Sequence, residues 1–393
     1  MDSGHNKKKI LFFTALNFGY AISGMTRMID FSKYLISKGN EVKIILSSPE
    51  EIKDKESFIV REEFAKTKYS PKTILGMLER ITGVLTCSWR IRKIIKREKP
   101  DIIICQYLQL MLALKIATLG SRCRLIFDFG DPVYERMHAY TKNKLILFLT
   151  KIYENFIYKR TKHFIVTMEH YKQFLIDKGI KESRITTVPF GLNLSLYDVE
   201  GYKKEKKKLA NKTVFIYSGY LGAWFDIPKF IEKSAEFLKN HKDVCFVFSG
   251  PAYKEVLKDI SGIIKKNKLG DSVLILPPAL RSEFPKYIKM ADFGITIVKD
   301  DIVSFWDSVP SKTLDYLACG RPVLAFGPKG GVLEKIITNQ KLGAFVNKPE
   351  DFEKAYRFLM ENKEKLSQNC LAAAQNFDNN KSAKILSDMI SRL

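Results

Sequence analysis

The chain lacks most of the features that mark a small secreted, metal-binding or membrane-spanning protein. Its six cysteines (Cys87, Cys105, Cys123, Cys245, Cys319 and Cys370) are scattered over 393 residues, with no C-x-x-C pair and no metal-ligand spacing. Several stand inside apolar runs, which points to buried thiols in a reducing compartment and not to disulfides. No apolar run has transmembrane character: the nearest approach, residues 102–119, is interrupted by Gln106, Gln109 and Lys115. Residues 1–9 are polar and charged, so no signal peptide is expected and the expected location is cytoplasmic. A Walker-type loop, a Ser-His-Asp set and low-complexity segments are all missing. Acid is in short supply as well. Lys+Arg number 66 against 43 Asp+Glu, a formal net charge of +23. That balance favours anionic partners such as nucleic acid, acidic lipid or phosphorylated substrates, although a lysine-rich composition alone gives the same excess.

What is present is a long alternation of strands and helices. Ile10 to Ala15 is a buried strand, Asn17 to Gly24 a loop, Met25 to Ser37 an amphipathic helix, and Glu41 to Leu46 the next strand. Such a unit is the repeating block of a parallel sheet. It recurs near Asp101–Cys105, Arg124–Phe127 and His163–Thr167. The turn Val188-Pro189-Phe190-Gly191-Leu192-Asn193 and the charge run from Tyr202 to Lys208 close the first half. A fresh alternation then begins: Val214–Ser218, Cys245–Ser249, Val273–Leu276 and Phe293–Val298, each beside a helical segment. The expected architecture is α/β, with two doubly wound domains in tandem: residues 1–200, residues 201–378, and a last helix over 379–393. Ligand sites are expected at the carboxyl ends of the strands and in a cleft between the domains.

The stretch Ser304 to Phe326 carries the densest chemistry. A polar loop with Asp307, Ser308, Pro310, Ser311 and Lys312 leads into a short helix, which Gly320-Arg321-Pro322 stops ahead of a buried strand. Ser311 is expected as the N-cap. A helix start beside a lysine suits an anionic group, because free N–H groups and the helix dipole both favour negative charge.

The run from Pro310 to Val323 resembles the signature P-x-K-x-x-E-Y-L-A-x-G-x-P-V of GT-B glycosyltransferases of the retaining, Glu-x7-Glu kind (family 4). Three more pieces match in order: the glycine-containing loop near the start, the turn Val188–Asn193, and the strand–Gly-x-x-Gly unit at Tyr217–Gly222. The resemblance covers most of the chain and fits the second half best. It implies two Rossmann-like domains facing each other across a cleft, with the acceptor on the first and the nucleotide-sugar donor on the second. It also implies transfer of a sugar with retention, no metal and no other cofactor, and a last helix that crosses back to the first domain.

Residue by residue, the resemblance assigns Asp315 to the nucleotide ribose, since a carboxylate can accept two hydrogen bonds from neighbouring hydroxyls. Asp307 takes the first Glu position, beside the donor sugar. Both are one methylene shorter than the family's glutamates. Relatives carry an Arg and a Lys after the glycines of the first strand of the second domain; here Gly219 to Asp226 contains no base. Lys312, Ser311, Arg281 and Arg321 are the remaining candidates for the leaving diphosphate, with Gly222 allowing close backbone approach. Gly19 and Gly24 stand in the corresponding loop of the first domain. Asp131, in Asp128-Phe-Gly-Asp131, is a candidate to orient or deprotonate the acceptor hydroxyl. For each of these acids and bases the ordinary alternative is a solvated surface charge or a turn cap.

Two basic amphipathic stretches, Lys68–Glu98 and Lys142–Lys162, fit either core helices with a basic outer face or helices on an anionic membrane. The expected partners are therefore a nucleoside-diphosphate sugar, a glycan or lipid-linked acceptor and an anionic membrane surface, with no nucleic acid. The expected protein is a metal-independent, hexosyltransferase-like enzyme of polysaccharide or glycolipid assembly. A nucleotide-sugar epimerase of the same fold is the alternative within enzymes. A non-catalytic basic protein that binds nucleic acid or membrane is the alternative outside them.

Overall fold

The computed structural model describes residues 7–14, 23–47, 56–64, 74–130, 132–138, 141–200, 209, 211–222, 225–280, 283–299 and 309–393. They divide into two compact units. One holds the first strand, Gly24–Gly191 and Asn379–Leu393; the other holds Leu192–Asp378. The division falls at Gly191, inside the Val188–Asn193 turn. The charge run from Tyr202 to Lys208 lies outside the described residues.

Among the described residues the first unit has one parallel sheet built from β1 (Lys9–Thr14), β2 (Glu41–Leu46), β3 (Ile59–Arg61), β4 (Ile102–Cys105), β5 (Arg124–Phe129), β6 (His163–Val166) and β7 (Ile185–Thr187). Their spatial order is β3-β2-β1-β4-β5-β6-β7. The second unit repeats the plan with β8 (Thr213–Ser218), β9 (Val244–Ser249), β10 (Val273–Leu276), β11 (Phe293–Ile297), β12 (Val323–Phe326) and β13 (Gly343–Val346), in the order β10-β9-β8-β11-β12-β13. Each is a doubly wound, Rossmann-like order. It reverses once, between β1 and β4 in the first unit and between β8 and β11 in the second, and such a reversal opens a crevice at the carboxyl ends of the strands.

The strands are near-continuous apolar runs because helices cover both faces of a parallel sheet. β9, V-C-F-V-F-S, is buried at every position. Phe230, from the helix Ile227–Asn240, packs between Phe246 at 5.4 Å and Phe326 at 5.5 Å. Each such ring contributes about 1.5–3 kcal/mol by leaving water. The last helix, Asn379–Arg392, belongs to the first unit, where the Lys8 ammonium donates to the Ile390 carbonyl at 2.9 Å.

The first helix runs over Ser23–Ser37, two residues longer at its start than the sequence pattern suggests. The second basic stretch is the helix Lys144–Arg160, opened by Asn143, whose side chain accepts from the Leu145 and Ile146 N–H groups. Among the described residues, no helix is long and apolar enough to cross a membrane.

Candidate functional site in the second unit

The signature stretch folds as the helix Ser311–Ala318 between β11 and β12. Its N-cap is Pro310, without a side-chain cap, and Ser311 is already the first helical residue. The expected Ser311 cap is thus replaced: the fixed φ of proline sets the chain for the first turn, and the serine lies one residue too late. The stop is as the Gly-Arg-Pro run demands. Gly320 has φ +62°, its N–H donates to the Leu317 carbonyl, and the Arg321 N–H donates to the Tyr316 carbonyl. This is the double bond pattern of a Schellman cap.

The helix is fixed over β8 and β11, where the strand order reverses. The Thr313 and Thr296 hydroxyls meet at 2.9 Å. The Tyr316 phenol accepts the Ser218 N–H at 2.9 Å. Position 294 must be glycine for this: a Cβ there would stand 2.3 Å from the Tyr316 ring. These contacts deliver the first turn of the helix to the carboxyl edge of the sheet.

There Lys312 is only 7% exposed. Its ammonium lies 3.7 Å from the centroid of Phe225 and 4.6 Å from that of Tyr217, a cation held over two aromatic faces. Its stem crosses Gly219, where a Cβ would meet the Lys312 Cε at 2.9 Å. It makes no ion pair with any described carboxylate. Burial lowers the ammonium from 10.5 to about 7, with Asp315 pulling the other way. A buried cation that makes no ion pair among the described residues, beside a backbone free of side chains, is an arrangement that an anion would complete.

One turn on, Asp315 is partly buried and accepts a hydrogen bond on Oδ1 from the Tyr197 hydroxyl. Burial raises its carboxyl to about 7 against the opposing pulls of that hydrogen bond and of Lys312. Tyr197 ends the short 3-10 segment Leu194–Tyr197, 118 residues away in sequence.

Of the residues chosen from sequence, the structure brings Lys312, Asp315 and Ser311 together on one turned helix. Gly222 is buried in the loop after β8, which follows the loop after β9: Gly219 N–H donates to Ser249, and Leu221 N–H to Pro251. Arg321 stands elsewhere. It immediately precedes β12 and its guanidinium donates to the Lys289 carbonyl at 2.6 Å, at the amino edge of the same sheet. Gly24 is the second residue of the first helix, its carbonyl accepting from the Gln106 amide at 3.4 Å. Asp307, Asp131, Arg281 and Gly19 lie outside the described residues. Sequence reasoning missed Tyr197, Phe225, Tyr217 and Gly219. Only Gly219 carried a signal, as the glycine that directly follows β8.

The carboxyl edge of the first unit holds a different cluster. Arg27 is 3% exposed, and its Nη atoms donate to the carbonyls of Val188 and Pro189, both at 2.6 Å. Its Nε lies 3.7 Å from Asp128 Oδ2, which also accepts from the Gln106 amide at 2.8 Å.

Two family models divide the chain: Glycosyltransferase Family 4 matches residues 23–196 and Glycosyl transferases group 1 matches residues 198–377. No curated protein matches it. Among solved structures, sucrose-phosphate synthase from Thermosynechococcus elongatus is similar at 14% identity and TM-score 0.79, covering 98% of this chain and 99% of that one. Anabaena HepE, in complex with UDP-glucose, is similar at 17% identity and TM-score 0.73, over 98% and 100% of the two chains. A UDP-N-acetylglucosamine 2-epimerase is similar at 12% identity and TM-score 0.60, over 98% and 95%. The two halves thus carry, in order, a Glycosyltransferase Family 4 domain and a Glycosyl transferases group 1 domain, on the GT-B fold.

Proposed function

We propose that the protein moves a sugar, with retention, from a nucleoside-diphosphate sugar to a hydroxyl of a lipid-linked or polysaccharide acceptor. The observation that carries the donor half is the buried Lys312, which makes no ion pair among the described residues, beside Gly219 at the β8/β11 reversal, with Asp315 one turn further on. In this reading Lys312 meets the diphosphate in place of a metal ion, and Asp315 meets the ribose. The bond from the anomeric carbon to the phosphate oxygen breaks, its electron pair leaving with the diphosphate. The acceptor hydroxyl attacks the same face, and its proton passes to the leaving phosphate or to Asp131. A fixed, desolvated cation helps here because it costs no reorganisation as negative charge develops. The UDP and UDP-glucose bound by HepE support the donor class.

The test is a panel of UDP-, GDP- and ADP-sugars, read by thermal shift and by release of the diphosphate, with the anomer of the product assigned by NMR. Silence across the panel from folded protein sinks the reading. Conversion of the sugar to its 2-epimer without any acceptor selects the epimerase alternative.

The acceptor side of the proposal is peripheral docking on an anionic membrane. Leu145, Phe148, Leu149, Ile152 and Phe156 form one exposed stripe on the helix Lys144–Arg160, with Phe148 60% exposed. At its end Arg160 stacks on Phe156 at 4.0 Å. Nearby Lys115 falls to about 8 through burial and through Arg184, Arg160 and Lys162, a concentration of like charge that seeks anions. Each base near such a surface gains about 1 kcal/mol. Flotation with phosphatidylglycerol vesicles is expected and should disappear in Phe148→Glu/Ile152→Glu; equal flotation with neutral vesicles, or of the variant, overturns the docking.

A further inference from the structure

We propose that the amino edge of the first sheet binds a compact phosphate or diphosphate group, held by Lys7, Lys8, Arg122 and Arg124, at a place separate from the site of sugar transfer. These four bases line one cavity of about 230 Å³, and Asp101 is its one acidic side chain among the described residues. The parallel sheet brings them there. Lys7 and Lys8 run into β1, Asp101 stands just ahead of β4, and Arg122 and Arg124 enter β5. The three strands are neighbours, and Ile102 of β4 lies opposite both Ile10 of β1 and Arg124 of β5. Residues opposite each other share a face of the sheet, so Arg124 stands on the face of Ile10 and Ile102.

The charge of these bases is left open. Asp101 accepts the Lys9 N–H at 2.7 Å and makes no ion pair among the described residues. The Lys8 ammonium donates to the Ile390 carbonyl at 2.9 Å, a neutral acceptor that leaves its charge unpaired. The side chains of Lys7, Arg122 and Arg124 make no hydrogen bond or ion pair among the described residues. The next strand adds to the excess: His163, the first residue of β6, is pushed below its ordinary value by burial and then by Arg124, Arg184 and Lys162. Like charges gathered in this way repel one another, and an anion among them relieves the repulsion. The planar fork of an arginine matches phosphate oxygens, and lysine adds a point charge. Size narrows the ligand. Sites that enclose a drug-sized molecule measure about 300–1,000 Å³, so this smaller cavity suits a phosphate or diphosphate group and not a whole nucleotide sugar. Position separates it from the reaction. β1 has six residues, about 20 Å in length, and the crevice of the strand reversal lies at its other end. The group is held here and does not react.

The experiment is titration calorimetry of the full chain with inorganic phosphate, diphosphate and dihexanoyl phosphatidic acid at constant ionic strength, beside NMR of His163. The proteins are the parent, Arg122→Gln/Arg124→Gln, Lys7→Gln and Lys312→Met. Residues 7, 122 and 124 are exposed, so their substitution should leave urea unfolding unaltered. Lys312→Met silences the other candidate anion site. The anion should bind Lys312→Met protein as well as the parent, and in both it should move the His163 titration to higher pH. Arg122→Gln/Arg124→Gln should bind about tenfold more weakly, the scale for hydrogen bonds lost to a charged group, and Lys7→Gln should show a smaller loss. Tighter binding of the lipid than of inorganic phosphate, weakened in the same variants, assigns the group to a lipid head group; equal or weaker binding assigns a free phosphate or diphosphate. Unchanged affinity in Arg122→Gln/Arg124→Gln, loss of binding in Lys312→Met instead, an unmoved His163, or no more affinity for phosphate than for chloride would each overturn the proposal and leave the donor-site reading standing.

Discussion

The two units share a strand order, the first with one strand more, and each buries a cation at the carboxyl edge of its sheet, Arg27 on the helix after β1 and Lys312 on the helix after β11, yet the two cations are in different situations. In the first unit the two Nη atoms of Arg27 are hydrogen-bonded and its Nε, without a hydrogen bond of its own, lies 3.7 Å from Asp128. Two carbonyls and Asp128 surround it, and Gln106 ties Asp128 in turn. In the second unit Lys312, over two aromatic rings as Arg27 is over Phe31 and Phe190, lies beside a glycine and makes no ion pair with an acid among the described residues. A buried charge that is neutralised and hydrogen-bonded holds the fold together. One that is buried without a partner costs stability until something else supplies the negative charge. The Rossmann reversal provides a crevice in both units, and the side chains decide whether it is filled from within or left for a ligand.

The sharpest way to break this comparison is to apply one change to both cations. Arg27→Met leaves Asp128 buried and two carbonyls without their donors, and should cost about 3–5 kcal/mol in urea unfolding. Lys312→Met should leave the stability of the ligand-free protein unchanged or raise it, because it removes a buried charge that makes no ion pair among the described residues. Equal losses from both substitutions would mean that Lys312 is structural. The same Lys312→Met protein should lose about 10²–10³-fold in sugar transfer, the scale for one preorganised group facing developing charge.

A smaller effect is expected from pH. Below about 7 the Asp315 carboxyl takes up a proton and can no longer serve a ribose with both oxygens, so nucleotide affinity should fall with acid. Above about 7 the free Lys312 is neutral, so diphosphate binding must take up a proton and should weaken as pH rises. Calorimetry should therefore show an optimum near neutrality, with the acid limb flattened in Asp315→Asn and the alkaline limb in Lys312→Met. The ligand-free protein should show the mirror image. Asp315 has a folded value above its ordinary 3.8, so its contribution to stability declines as pH rises from about 3.8 to 7. Lys312 has a folded value below its ordinary 10.5, so the unfolded chain holds the extra proton between about 7 and 10.5, and stability climbs across that window.

Much of the fold was legible because parallel strands buried on both faces are written as short apolar runs. Val214–Ser218 and Cys245–Ser249 each differ from the observed strand by one residue. The stop at Gly320-Arg321-Pro322 was legible for a local reason, since a left-handed residue followed by proline cannot continue a helix. The site was legible only where it is local. Lys312 and Asp315 are three apart on one helix, so spacing alone puts them on one face. Arg321 is nine residues from Lys312, and yet the eight-residue helix between them, about 12 Å long, carries the chain from the carboxyl edge back to the amino edge. Tyr197 was hidden altogether, because its contact with Asp315 spans 118 residues.

By itself, then, the sequence determined the alternation of elements, the two-part division and the family, all of which rest on periodicity, turn residues and contiguous motifs. Only the tertiary structure decided which charges are satisfied. Arg27 and Lys312 are both single bases near the start of a helix in the sequence. Both lie over aromatic rings, Arg27 over Phe31 and Phe190 and Lys312 over Tyr217 and Phe225; whether a carboxylate stands beside each as well depends on Asp128, brought to the first helix by strand order.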